Sequence, residues 1–67
     1  MNQKSAPGSG REILFEMIQM GNSIKVIAVD AQTGTEATVI CPVTASEAQM
    51  KQMAMRKLKF ILEKQKK

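Results

Sequence analysis

The hydrophobic positions along the first part of the chain predict three short β-strands, because apolar runs alternate there with turn sequences. Gly21-Asn22 suits a two-residue hairpin loop, with glycine supplying the positive φ of its first position. Ala31–Gly34 suits a four-residue loop that Gly34 closes in the left-handed conformation. Pro42 then ends the last strand because it has no amide donor. The predicted strands cover residues 12–20, 23–30 and 35–41.

The helical signal begins after the last strand. Two overlapping capping boxes could start it, either Thr44 with Glu47 three residues later, or Ser46 with Gln49. From there to about Lys64 the chain contains no glycine or proline, and its lysine-rich last turn complements the negative end of a helix. The sequence therefore predicts an α+β fold, a three-stranded antiparallel β-meander packed against one C-terminal α-helix, in the order β-β-β-α.

The two loop lengths set the strand register and so separate the two faces of the predicted sheet. A two-residue first loop places Met17 opposite Val26, and a four-residue second loop places Val26 opposite Val39. One face is then entirely apolar and is the predicted core face: Ile13, Phe15, Met17, Ile24, Val26, Ala28, Ala37, Val39 and Cys41. The opposite face, termed the open face, mixes apolar and polar side chains: Leu14, Glu16, Ile18, Met20, Lys25, Ile27, Val29, Glu36, Thr38 and Ile40.

A single helix can cover only one face of this sheet. Steps of 100° per residue bring six apolar side chains onto one side of the helix, and we expect this stripe to cover the core face: Met50, Ala54, Met55, Leu58, Ile61 and Leu62. The open face then keeps five aliphatic side chains: Leu14, Ile18, Ile27, Val29 and Ile40. Contiguous exposed apolar area of this kind is typical of a protein–protein contact. We therefore expect a protein partner there, or a second copy of the chain in a homodimer.

Met53 and Phe60 lie seven residues apart, near the edge of the helical stripe. Packing against a sheet edge, or against the loop before the helix, is the favoured interpretation of this pair. The alternative is that the two side chains anchor a binding partner.

The basic charge is concentrated in the helical segment. The net charge of the chain is +4, and the stretch from Glu47 to Lys67 holds seven basic and two acidic residues, a net +5. This leaves nucleic-acid binding, RNA in particular, as the alternative function, with four candidate contacts: Lys51, Arg56, Lys57 and Lys59. The strand and helix order is similar to the second half of a double-stranded-RNA-binding domain, but only Lys51 matches the lysines at that family's helix start. A solvated basic helix face remains the favoured interpretation.

Catalytic chemistry finds little support in the composition. The 67 residues include no histidine, tyrosine or tryptophan, so the commonest general base is absent. The one cysteine, Cys41, is expected in the core rather than at a nucleophilic site. The acidic residues show no metal-ligand spacing, and no glycine-rich phosphate loop occurs. We predict a non-enzymatic domain with no catalytic residue, cofactor or metal.

Length and composition predict one small domain. Residues 1–10 are polar, contain proline and glycine, and are expected to form a flexible tail, whereas residues 11–67 form the domain. The tail lacks the apolar region of a secretory signal, and no stretch reaches the length of a membrane span. A single cysteine, which cannot form an internal disulfide, fits a reducing compartment. We expect a cytoplasmic protein without a membrane partner.

The chain from Glu12 to about Leu62 resembles a small family of uncharacterised alphaproteobacterial proteins. The resemblance rests on the stretch LFEMIQMGNSIKVIAVDAQTGTEATVICP, followed by a helix that contains MRKLKFIL. Members of that family share a GNS-x-KV-x-A-x-D-x-x-TGTE core and a late RKL helix. The resemblance implies a stand-alone small domain in a bacterial cytoplasm, and it transfers no functional residues.

Overall fold

Three antiparallel strands form one sheet, in which each strand pairs with its neighbour in the chain. The computed structural model describes residues 12–65, and the predicted tail, residues 1–10, lies outside the described residues. The elements confirm the predicted α+β fold, a three-stranded meander followed by one C-terminal helix. Their bounds are β1 Ile13–Met20, β2 Ser23–Asp30, β3 Glu36–Pro42 and α1 Glu47–Gln65.

Both hairpin turns adopt the predicted glycine geometry. Gly21 has a φ of 64° between β1 and β2, and Gly34 has a φ of 78° at the end of the loop between β2 and β3. The Gly34 amide donates a hydrogen bond to the Asp30 carbonyl at 2.7 Å, and the Asp30 amide donates to the Thr35 carbonyl at 2.8 Å. These turns set the predicted register, which the strand pairs confirm: Met17 opposite Val26, and Val26 opposite Val39.

The core lies between α1 and the sheet face that the alternation of side chains along the strands predicts as the core face. Val26 and Ala28, at the centre of the middle strand, are completely buried, and Cys41 is a buried core cysteine as predicted. Burial of these apolar side chains supplies most of the favourable free energy of folding. The buried members of the core are Ile13, Val26, Ala28, Ala37, Cys41, Met50, Ala54 and Leu58.

The helix packs mainly on β2 and β3 rather than evenly over the sheet. The core-face side chains Phe15 and Met17 of β1 are therefore only half-buried. Met55 follows one turn after Lys51, whose Nζ lies over the Phe15 ring, so it occupies the flank of α1 that faces β1. Because the sheet offers little contact on this flank, Met55 is 41% exposed, and the prediction that it belongs to the buried stripe was wrong.

One acidic residue lies on the core face, where the sequence predicts only apolar side chains. Asp30 is opposite Ile13 at the end of β2, and it is completely buried. Its Oδ1 accepts a hydrogen bond from the Gln32 amide at 3.2 Å, and its Oδ2 accepts one from the Thr33 hydroxyl at 3.0 Å. Buried polar groups require such partners, and the turn after β2 supplies them. The prediction of an entirely apolar core face was therefore wrong at this end of the strand.

The helix begins at the second of the two predicted capping boxes. The Gln49 amide donates to Ser46 Oγ at 3.1 Å, and the Ser46 amide donates to Gln49 Oε1 at 3.0 Å. Thr44 lies instead in the preceding turn, so its capping box does not form. The Ala45 amide donates to the Pro42 carbonyl at 3.0 Å, and this turn redirects the chain before a helix can start.

Candidate interaction surfaces

The open face is an ordered grid of four rows that run across the three strands. Residues that pair across two strands have Cβ atoms about 5 Å apart on one face of the sheet. All five aliphatic residues predicted at an interface therefore share one surface. In the order β1, β2, β3, the rows are Met20, Ser23 and Pro42; Ile18, Lys25 and Ile40; Glu16, Ile27 and Thr38; and Leu14, Val29 and Glu36.

The aliphatic side chains of the open face are left uncovered because α1 packs on the opposite face. Leu14, Ile18 and Ile40 on the outer strands are 44%, 38% and 55% exposed. Ile27 and Val29 lie on the central strand, where neighbours on both sides leave them half-buried. The result is a contiguous apolar patch, a feature that marks contact surfaces in soluble proteins.

Three charged side chains interrupt this patch. Lys25 is half-buried at the centre of its row, between Ile18 and Ile40. Glu16 lies one row away on β1, and Glu36 lies two rows away on β3. Within residues 12–65, none of these three charges forms an ion pair. The open face therefore offers both apolar area and unpaired charges to a complementary surface.

The four candidate nucleic-acid contacts on α1 do not all line one groove. Lys51 Nζ lies 3.3 Å from Glu47 Oε2, and it also lies 5.6 Å from the centroid of the Phe15 ring, on the side of the helix toward β1. Lys51 is not among the residues that line a groove beside Val39 of β3, whereas the other three are: Arg56, Lys57 and Lys59. Lys51 therefore lies outside the groove that the other three candidates share.

This groove is shallow and open, lies beside α1 on the side toward β3, and is termed the β3 groove. Its volume is about 680 Å³, and it combines apolar and charged side chains: Val39, Met53, Arg56, Lys57, Lys59, Phe60 and Glu63. Met53 Sδ lies 3.9 Å from Cys41 Sγ, so this side chain contacts β3, as the favoured interpretation predicts. Phe60 is 59% exposed, and Lys64 Nζ lies 5.3 Å from the centroid of its ring. Phe60 therefore keeps most of its surface available for contact.

Comparison with known proteins places the chain in a family. The family described as Domain of unknown function (DUF6898) matches residues 10–65, which is most of the 67-residue chain. The chain belongs to this family. No curated protein and no solved structure matches it. Membership agrees with the resemblance to an uncharacterised domain family, and it assigns no role to any residue.

The described part of the DUF6898 domain carries its exposed apolar side chains chiefly on two surfaces. Within residues 12–65, no cluster of three or more cysteine, aspartate and glutamate side chains could hold a metal ion. The same stretch contains no helix with the length and apolarity needed to cross a bilayer. Most of the large exposed apolar side chains lie on the open face or in the β3 groove: Leu14, Ile18, Met20, Ile40, Met53 and Phe60.

Proposed function

We propose that this domain is a non-enzymatic protein-interaction module, in the cytoplasm of a bacterium, that binds a protein through its open face. The observation that carries the proposal is that α1 covers one face of the sheet and leaves Leu14, Ile18 and Ile40 exposed together on the other. Removing apolar area from water is favourable by about 25 cal/mol per Å². A partner that covers this face gains that free energy.

The charges of the open face favour a protein partner over a membrane. Glu16 and Glu36 lie among the aliphatic side chains, and carboxylates are repelled by the anionic head groups of a bacterial or cytoplasmic leaflet. Lys25 is half-buried at the centre. A protein surface can present opposite charges at matched positions, which gives specificity as well as contact area.

Site-specific photo-crosslinking in the source organism tests this proposal. A photoreactive amino acid in place of Ile27 sits at the centre of the open face, and the same probe in place of Gln52 sits on the exposed side of α1 and serves as the control. We expect a discrete protein adduct from the Ile27 position that the Gln52 position does not produce. Identical adducts at the two positions, or no adduct at Ile27, would contradict the proposal.

Nucleic-acid binding, RNA in particular, is the second candidate function. The observation that favours it is that Arg56, Lys57 and Lys59 line one groove beside the exposed Phe60 ring. Cations next to an exposed aromatic ring are typical of sites for single-stranded nucleic acid. Lys51, however, does not line this groove, so the four candidates do not share one site. The open face therefore carries the primary proposal.

A further inference from the structure

We propose that the occupant of the open face is a second copy of this chain, in a two-fold dimer whose axis crosses the strands between the Lys25 row and the Ile27 row. This inference rests on the proposed use of the open face for protein binding. It adds the identity and the orientation of the partner. Both follow from the positions of the charges in the grid of side chains.

A two-fold axis parallel to the strands is disfavoured by Lys25. For full overlap of the two sheets, such an axis runs along the central strand and places each row on the same row of the other copy. Lys25 would then face the partner's Lys25 in the middle of an apolar patch. Like charges juxtaposed in an interface cost several kcal/mol, and the half-buried position of Lys25 limits its retreat into water.

An axis across the strands has to avoid both central rows. An axis that passes through the Lys25 row places Lys25 opposite the partner's Lys25. An axis that passes through the Ile27 row places Glu16 opposite the partner's Glu16, because Glu16 belongs to that row. When the axis lies midway between these two rows, the Lys25 row of one copy faces the Ile27 row of the other copy. Lys25 then lies beside the partner's Glu16, and the symmetry forms this ion pair twice.

The same orientation brings Leu14 onto an apolar side chain of the partner, while Ile18 lies opposite the partner's Glu16 and Ile40 lies opposite the partner's Thr38. The row that contains Leu14 faces the row that contains Met20, so Leu14 contacts the partner's Met20. Ile27 lies next to the axis and contacts the aliphatic stem of the partner's Lys25. Stacked sheets lie about 10 Å apart, which side chains from both sides span. The basic helices lie on the outer sides of the dimer, separated by well over the ~8 Å Debye length.

The size of the face sets the strength of the dimer. Three strands about 4.8 Å apart, with eight, eight and seven residues at about 3.4 Å each, give roughly 375 Å² per copy, or about 750 Å² in total. Stable interfaces bury about 1,200–2,000 Å² in total. We therefore expect weak, reversible self-association that becomes populated only at high protein concentration.

Sedimentation equilibrium of the full chain at up to about 1 mM tests the dimer through a charge swap. Lys25→Glu and Glu16→Lys should each weaken dimerisation by about tenfold or more, because each brings like charges together. The double variant Lys25→Glu/Glu16→Lys should return to within about threefold of the wild type. The matched control, Lys25→Glu/Glu36→Lys, has the same net charge, but Glu36 faces the row that contains Pro42, so it should restore nothing.

Circular dichroism checks that each variant is folded. If Lys25→Glu unfolds, the single variants Glu16→Lys and Glu36→Lys test the same contact, because both positions are exposed. Glu16→Lys should then weaken dimerisation more than Glu36→Lys does. A charge swap that rescues no better than its control overturns the proposed axis. A wild type that stays monomeric at about 1 mM overturns the dimer. In that case, a photo-crosslinked adduct with a different protein at Ile27 would still support the proposed function. The absence of any adduct would contradict both the proposed function and the dimer.

Discussion

Lys57 donates a hydrogen bond from its Nζ to the main-chain carbonyl oxygen of Thr38 at 2.8 Å. Thr38 belongs to β3, which is an edge strand, so this carbonyl faces no neighbouring strand among the described residues. A lysine placed over such an edge hinders the addition of another strand. Lys57 therefore has a structural role, which its position in a basic helix alone did not predict.

Replacing Lys57 by methionine tests this role. Lys57→Met keeps an apolar stem but cannot donate to Thr38, so we expect faster aggregation on heating. The free energy of unfolding should stay within about 1 kcal/mol of the wild type, because an exposed polar contact contributes little. Lys59→Met is the control, since Lys59 makes no hydrogen bond within residues 12–65. Equal aggregation of the two variants by light scattering would argue against protection of the edge.

The helix cap allows a prediction about stability. Ser46→Ala removes the acceptor of the Gln49 amide and should lower the free energy of unfolding by about 1 kcal/mol. Thr44→Ala alters an exposed turn residue and should change it by less than about 0.5 kcal/mol. Urea denaturation followed by circular dichroism measures both values. Equal costs for the two substitutions would show that the Ser46 cap does not determine where the helix starts in solution.

The strands and their register could be predicted because short-range chemistry determines them. Gly21 and Gly34 occupy positions that require a positive φ, and this fixes the two loop lengths. The alternation of side chains along each strand then assigns every residue to a face. Leu14, Ile27 and Ile40 therefore come together on the open face as predicted, although they are distant in the sequence.

The features that the sequence did not supply depend on tertiary placement. Helical periodicity says which side of α1 is apolar, but not where the helix lies across the sheet, so the exposure of Met55 was missed. Burial of Asp30 was missed because a carboxylate at a strand end is usually solvated. The available signal was Asp30 followed by Gln32 and Thr33, a sequence suited to hydrogen bonding within a turn.

The β3 groove was missed for a related reason. Arg56, Phe60 and Glu63 recur at helical spacing and so share one flank of α1, which could have indicated a continuous surface. The contribution of Val39 depends on how close the helix lies to β3, and no local pattern encodes that distance. Only the assembled helix and sheet bring these side chains together.

The assignment of faces predicts opposite outcomes for two adjacent residues. Val26 is completely buried beneath α1, so Val26→Asp should unfold the domain, because an unpaired buried charge costs several kcal/mol and a small domain has little more stability than that. Ile27 belongs to the open face, and Ile27→Lys should leave the monomer folded. The dispersion of amide chemical shifts distinguishes the two states. Native shifts in the Val26→Asp variant would refute the register.

The basic helix allows a prediction about nucleic-acid binding, because its basic side chains are not equally free to contact phosphates. Arg56 and Lys59 make no hydrogen bond or ion pair within residues 12–65, whereas Lys51 and Lys57 are both engaged. Binding in the β3 groove should weaken with salt, at a log–log slope of about −0.9 per phosphate contact on duplex DNA. Arg56→Glu should reduce affinity more than Lys51→Glu does, and reversal of both Arg56 and Lys59 should abolish binding.

Fluorescence anisotropy at about 50 mM salt measures these affinities. Equal losses from the two single reversals, or no binding of the wild type to RNA or duplex DNA, would remove nucleic acid as a ligand of this groove.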